Sequence, residues 1–307
     1  MENPRTDPAT KAHPPPRALV VLGFATIYLV WGSTYLGIRW AVESIPPFLM
    51  GGSRFVVGGV LLHLFLRARG RPAPTWVQVR EGVLVGALLL LGGNGLVNWA
   101  EQYLPSGLTA LVIGCTPLVF VLLEWLLPPH RRPGVGTACG LALGTGGIAL
   151  LQWPGAGQGG GVRLGALVAI LVASVSWALG SLYSKRSQRG GDPFMAASVQ
   201  MMAGGMMQLL VGTALGEWPR FALEAVTLRS ALAWGYLVVA GSLIAFGTYI
   251  WLLRASTPAR VATYAYVNPV IAVLLGWALA GEAVTAPMLG AAAVIVTAVI
   301  IITRQNK

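Results

Sequence analysis

The stretch ALVIGCTPLVFVLLEW, residues 110–125, returns as ATYAYVNPVIAVLLGW at residues 262–277. At this shift of 152, Ala110 falls on Ala262, Pro117 on Pro269, Val121-Leu122-Leu123 on Val273-Leu274-Leu275, and Trp125 on Trp277. Earlier in the chain a shift of 146 carries Trp31 onto Trp177, Pro47-Phe48 onto Pro193-Phe194, and Gly58-Gly59 onto Gly204-Gly205. The chain therefore reads as two versions of one unit, each about half its length. A unit that crosses a membrane an odd number of times is followed by a copy lying upside down relative to it. That arrangement suits a protein that opens first to one side and then to the other.

Composition places the repeat in lipid. Of 307 residues, 55% are hydrophobic and only 10% charged, with a mean hydropathy of +0.70. Soluble domains carry roughly 25% charged residues. The apolar stretches run about 18–24 residues, enough for a helix to cross roughly 30 Å of hydrocarbon. The 40 glycines suit helices that pack through small residues. The pattern predicts ten helices at about 18–39, 48–66, 82–100, 106–127, 134–152, 164–184, 194–215, 231–253, 259–280 and 286–303.

The expected fold is an all-α polytopic membrane protein of ten transmembrane helices, arranged as two inverted five-helix repeats. The first repeat spans 18–152 and the second 164–303, joined by a Gly-rich periplasmic linker at 153–163. A Pro-rich disordered cytoplasmic tail at 1–17 and a short cytoplasmic tail at 304–307 flank them. Lys11 and Arg17 before an apolar run resemble the start of a signal peptide. The apolar span after them has about 20 residues and no small-residue cleavage site, so it reads as an uncleaved first helix.

Charge placement orients the spans. The net charge is +11, yet the basic residues sit in short loops and form no extended patch, which argues against nucleic acid. With both termini cytoplasmic, sixteen Lys and Arg residues fall inside, from Arg5 through the Arg67–Arg80 and Arg131–Arg132 loops to Lys307. Only Arg39, Arg163, Arg220 and Arg229 fall outside, a strong positive-inside bias for a protein of the inner membrane. Cys115 and Cys139 lie within predicted helices and read as packing residues. Nothing in the spacing calls for a metal or a cofactor.

The residues that carry function are polar and aromatic groups inside spans. Thr116-Pro117 and Asn268-Pro269 break two matched helices, and proline frees backbone groups that lipid cannot satisfy. Corresponding interruptions in inverted halves point to a central binding site, with a simple kink as the alternative. Tyr264 and Asn268 share a helix face, as do Asn94 and Asn98, and Trp31 and Tyr35 beside Ser33. Trp177 lies with Ser174 and Ser181. Such rings with a few amides and hydroxyls suit an amphipathic small molecule, and equally suit plain interhelical hydrogen bonds. Arg54 is the one cation well inside a span, opposite Gln200 in the second half. It should face the interior and pair with Glu101 or Glu43, as a structural ion pair or as an anion-binding or gating group.

Gly136, Gly140 and Gly144 recur every four residues as a close-packing face, suited to bracing a monomer, with a homodimer as the alternative. No carboxylate falls clearly at the midplane, so facilitated transport stands beside proton coupling.

These residues resemble the EamA-type carriers of the drug/metabolite transporter superfamily. The matches are Trp31-Gly32-Ser33-Thr34, Arg54-Phe55 and Pro117, then Ser176-Trp177-Ala178, Asn268-Pro269, Glu282 and Gly290. They cover about residues 18–303. The first half departs from the second in having His130 where the latter has Glu282, its own acid standing earlier at Glu124. The resemblance implies two inverted five-helix units around a central cavity. It also implies export of small organic solutes: amino acids, related metabolites or amphipathic drug-like compounds.

The expectation is a non-enzymatic secondary transporter working by alternating access. Trp31, Tyr35, Trp177 and Tyr264 would wall the cavity, and Ser33, Asn94, Asn98, Thr116 and Asn268 would contact substrate. Pro117, Pro269 and Arg54 would break helices or gate. No Walker motif is present. A passive channel for small metabolites is the first rival. An intramembrane hydrolase is the second, and it lacks a histidine at mid-membrane depth.

Overall fold

A computed structural model describes residues 15–100, 102–103, 113–114, 116–128, 130, 134–152, 164–187 and 191–280, together with 289–290, 293–294, 296–298 and 300–301. Among them, all regular structure is helical. The helices are α1 (Arg17–Ala41), α2 (Pro47–Ala68), α3 (Trp76–Ala100), α4 (Thr116–Leu126), α5 (Val135–Gln152), α6 (Leu164–Ser187), α7 (Pro193–Ala214), α8 (Leu228–Ala255) and α9 (Tyr264–Ala280). Six of them, α1, α2, α3, α6, α7 and α8, are long and apolar enough to cross a membrane. The 153–163 linker, residues 1–14, the 304–307 tail, Cys115, Glu101 and Glu282 lie outside the described residues. The tenth expected span is described only by its helical residues within 289–301.

Capping residues set several boundaries. Thr75 and Gln78 form a reciprocal capping box, so α3 begins at Trp76 rather than near 82. Thr227 accepts from Ser230 N at 3.2 Å and starts α8 at Leu228 rather than 231. Prolines at the first position pre-set φ for α2 and α7. The expected helix over 259–280 is interrupted: a single turn, Pro258–Val261, stops at Ala262-Thr263 before α9 resumes. Thr263 Oγ1 there donates to Arg260 O at 2.6 Å.

α3 and α8 each contain a π-helical segment, Ala87–Gly95 and Leu237–Phe246, where regular α-helix was expected. Wider i→i+5 winding displaces carbonyls from the usual ladder, and in lipid those carbonyls need donors. Ser176 of α6 donates to Leu88 O and Gln208 of α7 to Leu90 O, both at 2.8 Å. Trp31 Nε1 of α1 donates to Gly241 O at 3.3 Å.

α2 and α7 cross so closely that glycine is required. A Cβ at Gly52 would stand 2.9 Å from Gly205 O, and one at Gly205 would stand 2.8 Å from Gly52 O and Val56 N. A Cβ at Gly59 would stand 2.9 Å from Ser198 O and 2.8 Å from Met202 N. Under the shift of 146 these contacts exchange: Gly52 becomes Ser198, Val56 becomes Met202 and Gly59 becomes Gly205.

The two helices also end alike. Gly70 and Gly216, at φ +76 and +67, turn the chain in the left-handed region. Arg71 N then donates to Leu66 O at 3.0 Å and Glu217 N to Gly212 O at 2.9 Å.

Elsewhere α1 packs on α8 and α9 while α6 packs on α3 and α4, and α2 meets α8 while α7 meets α3. The core between them draws on both halves, with Ile27, Phe55, Leu89 and Leu90 buried against Met201, Phe246 and Tyr249. Gly144 of α5 packs against the Tyr266 ring, whereas Cys139 of the same helix is exposed rather than packed.

Candidate functional site

Four aromatic rings from four helices meet at the centre of this packing. Trp31 of α1 lies 5.7 Å from Trp177 of α6, 5.0 Å from Tyr249 of α8 and 4.8 Å from Tyr264, the first residue of α9. Trp177 and Tyr249 are 5.4 Å apart, and Tyr249 and Tyr264 are 5.9 Å apart. Most of these contacts are edge-on or tilted, the geometry that ring quadrupoles favour, each worth about 0.5–1.5 kcal/mol beyond burial.

Trp177 and Tyr249 are tied together through Ser181 of α6. Trp177 Nε1 donates to Tyr249 Oη at 2.8 Å, Tyr249 and Ser181 share a hydroxyl contact at 2.5 Å, and Ser181 donates to Trp177 O at 2.6 Å. The π segments bring the rings in. A Cβ at Gly93 would stand 2.7 Å from Trp177 Cε3, so only glycine lets α3 approach that ring. Each tryptophan thus rests on the π segment of the other half.

Against these rings lies a cavity of about 120 Å³. Trp31, Thr34 and Tyr35 line it from α1, Arg54 and Phe55 from α2, and Asn94 from α3. Thr116 of α4, Ser174 and Trp177 of α6, Phe246 of α8, and Tyr264 and Asn268 of α9 complete the polar and aromatic wall. Thr116 Oγ1 donates to Ser174 Oγ at 3.3 Å. Arg54 is buried, donates from Nη2 to Asn94 Oδ1 at 2.9 Å, and holds its guanidinium 4.4 Å from the Phe55 ring centroid. Asn268 is buried, and among the described residues its Oδ1 has no hydrogen-bond partner.

Of the residues singled out in the sequence, Trp31, Tyr35, Asn94, Thr116, Trp177, Tyr264, Asn268 and Arg54 come together here. Ser33 and Asn98 do not line the cavity. Ser33 faces the opposite side of α1, where its hydroxyl meets Tyr236 in an apolar groove of about 650 Å³ between α1, α8 and α9. Asn98 sits behind Asn94, donating to its Oδ1 at 3.1 Å. Pro117 follows Thr116 with helical residues on both sides of it, among them Ile113, Gly114 and Thr116, and α9 runs helical through Pro269 rather than breaking there. Each proline lies one step behind a residue that faces the cavity. Glu43 does not pair with Arg54; it binds Arg229 at 2.5 Å.

Tyr249 and Phe246 stand in an apolar span with no proline or amide to mark them, although their three-residue spacing puts both on one face. Among the described residues no cluster of three His, Cys, Asp or Glu could hold a metal ion.

The cavity wall is thus made of aromatic rings and amides drawn from helices along the whole chain. The sequence profile of the EamA-like transporter family matches residues 18–153 and again residues 164–304. The chain belongs to the EamA-like transporter family. It falls with that family in the drug/metabolite transporter superfamily.

This EamA-like chain is 41% identical to the uncharacterized inner membrane transporter YedA of Escherichia coli K12, over 90% of its own length and 88% of the relative's. It is 27% identical to protein PecM of Dickeya dadantii, covering 89% and 88% of the two chains. With the uncharacterized transporter YvbV of Bacillus subtilis it shares 26% identity over 95% and 94%. A solved crystal structure at 21% sequence identity shares the fold, with a TM-score of 0.77, covering 94% of this chain and 98% of the other. The chain is a multi-pass inner membrane protein, and its family and relatives point to a non-enzymatic transporter.

Proposed function

We propose that this chain is a secondary carrier that exports small organic solutes by alternating access. Amino acids, related metabolites and amphipathic drug-like compounds are the substrate class. The observation that carries this reading is the cavity itself, walled by equivalent tryptophans from the two halves, Trp31 and Trp177, in edge contact. A site built at the seam of two halves changes shape whenever the halves rock, and so can face either side in turn. At about 120 Å³ the cavity is tighter than the roughly 300–1,000 Å³ of small-molecule pockets, so the halves must part to admit a solute.

The architecture we propose is ten helices in two inverted five-helix repeats, both termini cytoplasmic. The family profile's two matches support it, as do the exchanging α2·α7 contacts and the paired π segments. Trp31, Tyr35, Trp177 and Tyr264 form the walls, while Asn94, Thr116 and Asn268 orient the solute's polar groups. Asn98 fixes Asn94 from behind, Ser33 ties α1 to α8 through Tyr236, and Arg54 holds the Asn94 end of the cavity. Pro117 and Pro269 are the points at which α4 and α9 bend.

The test is counterflow in proteoliposomes loaded in turn with amino acids and hydrophobic cations. A carrier exchanges labelled for unlabelled solute with saturation by one class. An unsaturating, ohmic current in planar bilayers would favour the channel instead.

A further inference from the structure

The two ends of the α2·α7 pair are closed by opposite charges. At one end, Glu217, the residue after the Gly216 turn of α7, is buried against the start of α2 and accepts from Leu49 N at 2.9 Å and Phe48 N at 3.3 Å. That helix start has Pro46 at its cap and no side-chain cap of its own. A carboxylate there meets free amides and the positive end of the helix dipole.

At the other end, Arg71, the residue after the Gly70 turn of α2, contacts Asp192 at 3.4 Å. Asp192 is the cap of α7, accepting from Phe194 N at 2.9 Å. Arg254 adds a second cation beside it, donating to Gly191 O. The shift of 146 carries Pro46 onto Asp192 and Arg71 onto Glu217, so equivalent positions hold complementary groups.

We infer that these two clamps select α7 as the partner of α2 and reject a second copy of the same half. Because the glycine contacts exchange under the shift, the packing faces alone do not distinguish α2·α7 from α2·α2 or α7·α7. Charge does. In an α2·α2 pair each Arg71 would face an uncapped helix start, a cation against the positive dipole end. In an α7·α7 pair each Glu217 would face the Asp192 carboxylate of the other copy. Only the mixed pair places an acid on a bare helix start and a base on a capping acid. Specificity arises here from repulsion built against the wrong partner, as well as from attraction to the right one. The inference rests on the α2·α7 contacts and does not depend on the transport reading.

The test uses the chain cut once within residues 153–163, both halves expressed together, with the first half supplied under two different tags. In wild type, capture of one tagged first half recovers the second half and not the other tagged first half. Arg71→Glu supplies α2 with its own capping acid and sets it against Asp192. First-half pairs should then rise about tenfold while recovery of the second half falls, the scale of reversing one charge at a helix start and one in an ion pair. Asp192→Asn keeps a capping oxygen without the charge, and combined with Arg71→Glu it restores the second half. Wild-type first halves that recover each other as readily as the second half would overturn the inference. So would an Arg71→Glu half whose partners are unchanged. Loss of the Arg71→Glu half that Asp192→Asn does not restore would also overturn it, making Arg71 a folding residue rather than a selector.

Discussion

Gly205→Val is expected to lose about 3 kcal/mol or more of stability and most of its membrane yield. The new Cβ would stand 2.8 Å from Gly52 O and Val56 N and 3.0 Å from Phe55 Cβ. Two of these atoms belong to the α2 backbone and have no rotamer to escape into, so the helices themselves must separate. Separation is costly in lipid, because transmembrane helices associate through close packing and interhelical hydrogen bonds rather than through exclusion of water. A valine adds two further carbons into the same space. Gly165→Val is the control, since a Cβ there meets nothing within 4 Å, and it should stay within about 0.5 kcal/mol of wild type. Thermal unfolding of both purified variants in the same detergent checks the prediction. Equal stabilities would mean that α2 and α7 are not packed as described.

Asn268→Leu is expected to separate transport from folding. The side chain lines the cavity and is buried, and its Oδ1 has no hydrogen-bond partner among the described residues. Leucine keeps the branched four-heavy-atom shape and removes a buried carbonyl left unpaired among the described residues, so stability should hold or rise slightly. If Asn268 receives a polar group of the solute, its loss removes a hydrogen bond worth about 1.5–3 kcal/mol to a charged donor. Transport should then fall about tenfold to a hundredfold in proteoliposomes, with an unchanged melting curve. A normal rate would remove Asn268 from the binding wall.

Much of this was legible in the sequence, and the remainder was hidden for identifiable reasons. The pairing of Trp31 with Trp177 followed from the shift of 146, because duplicated helices keep equivalent faces. Ser33 was misplaced by its company. Trp31 and Tyr35 lie four apart on one face, whereas Ser33 is two residues from each and so points to the opposite side of α1. Asn94 and Asn98 do meet, as their four-residue spacing implies, but Asn98 gives its amide to Asn94 Oδ1 at 3.1 Å and not to the cavity. The π segment Ala87–Gly95 ends between them, so Asn94 sits on its last turn and Asn98 on the α-helical turn after it. The π segments themselves depend on Ser176, Gln208 and Trp31 catching displaced carbonyls, partners that lie far away in sequence. The Glu217 cap on α2 was hidden likewise, since a carboxylate 168 residues distant from Leu49 leaves no local signature.

Solvent access to the cavity offers the most direct measurement. Ser174 lines the wall among the paired rings, and Ser174→Cys in a background where Cys115 and Cys139 are alanine places one thiol there. Membrane-impermeant maleimide is applied to right-side-out and to inside-out vesicles. A cavity that faces each side in turn predicts labelling from both faces, with a transported solute slowing one and speeding the other. Labelling confined to one face, whatever solute is added, would contradict it.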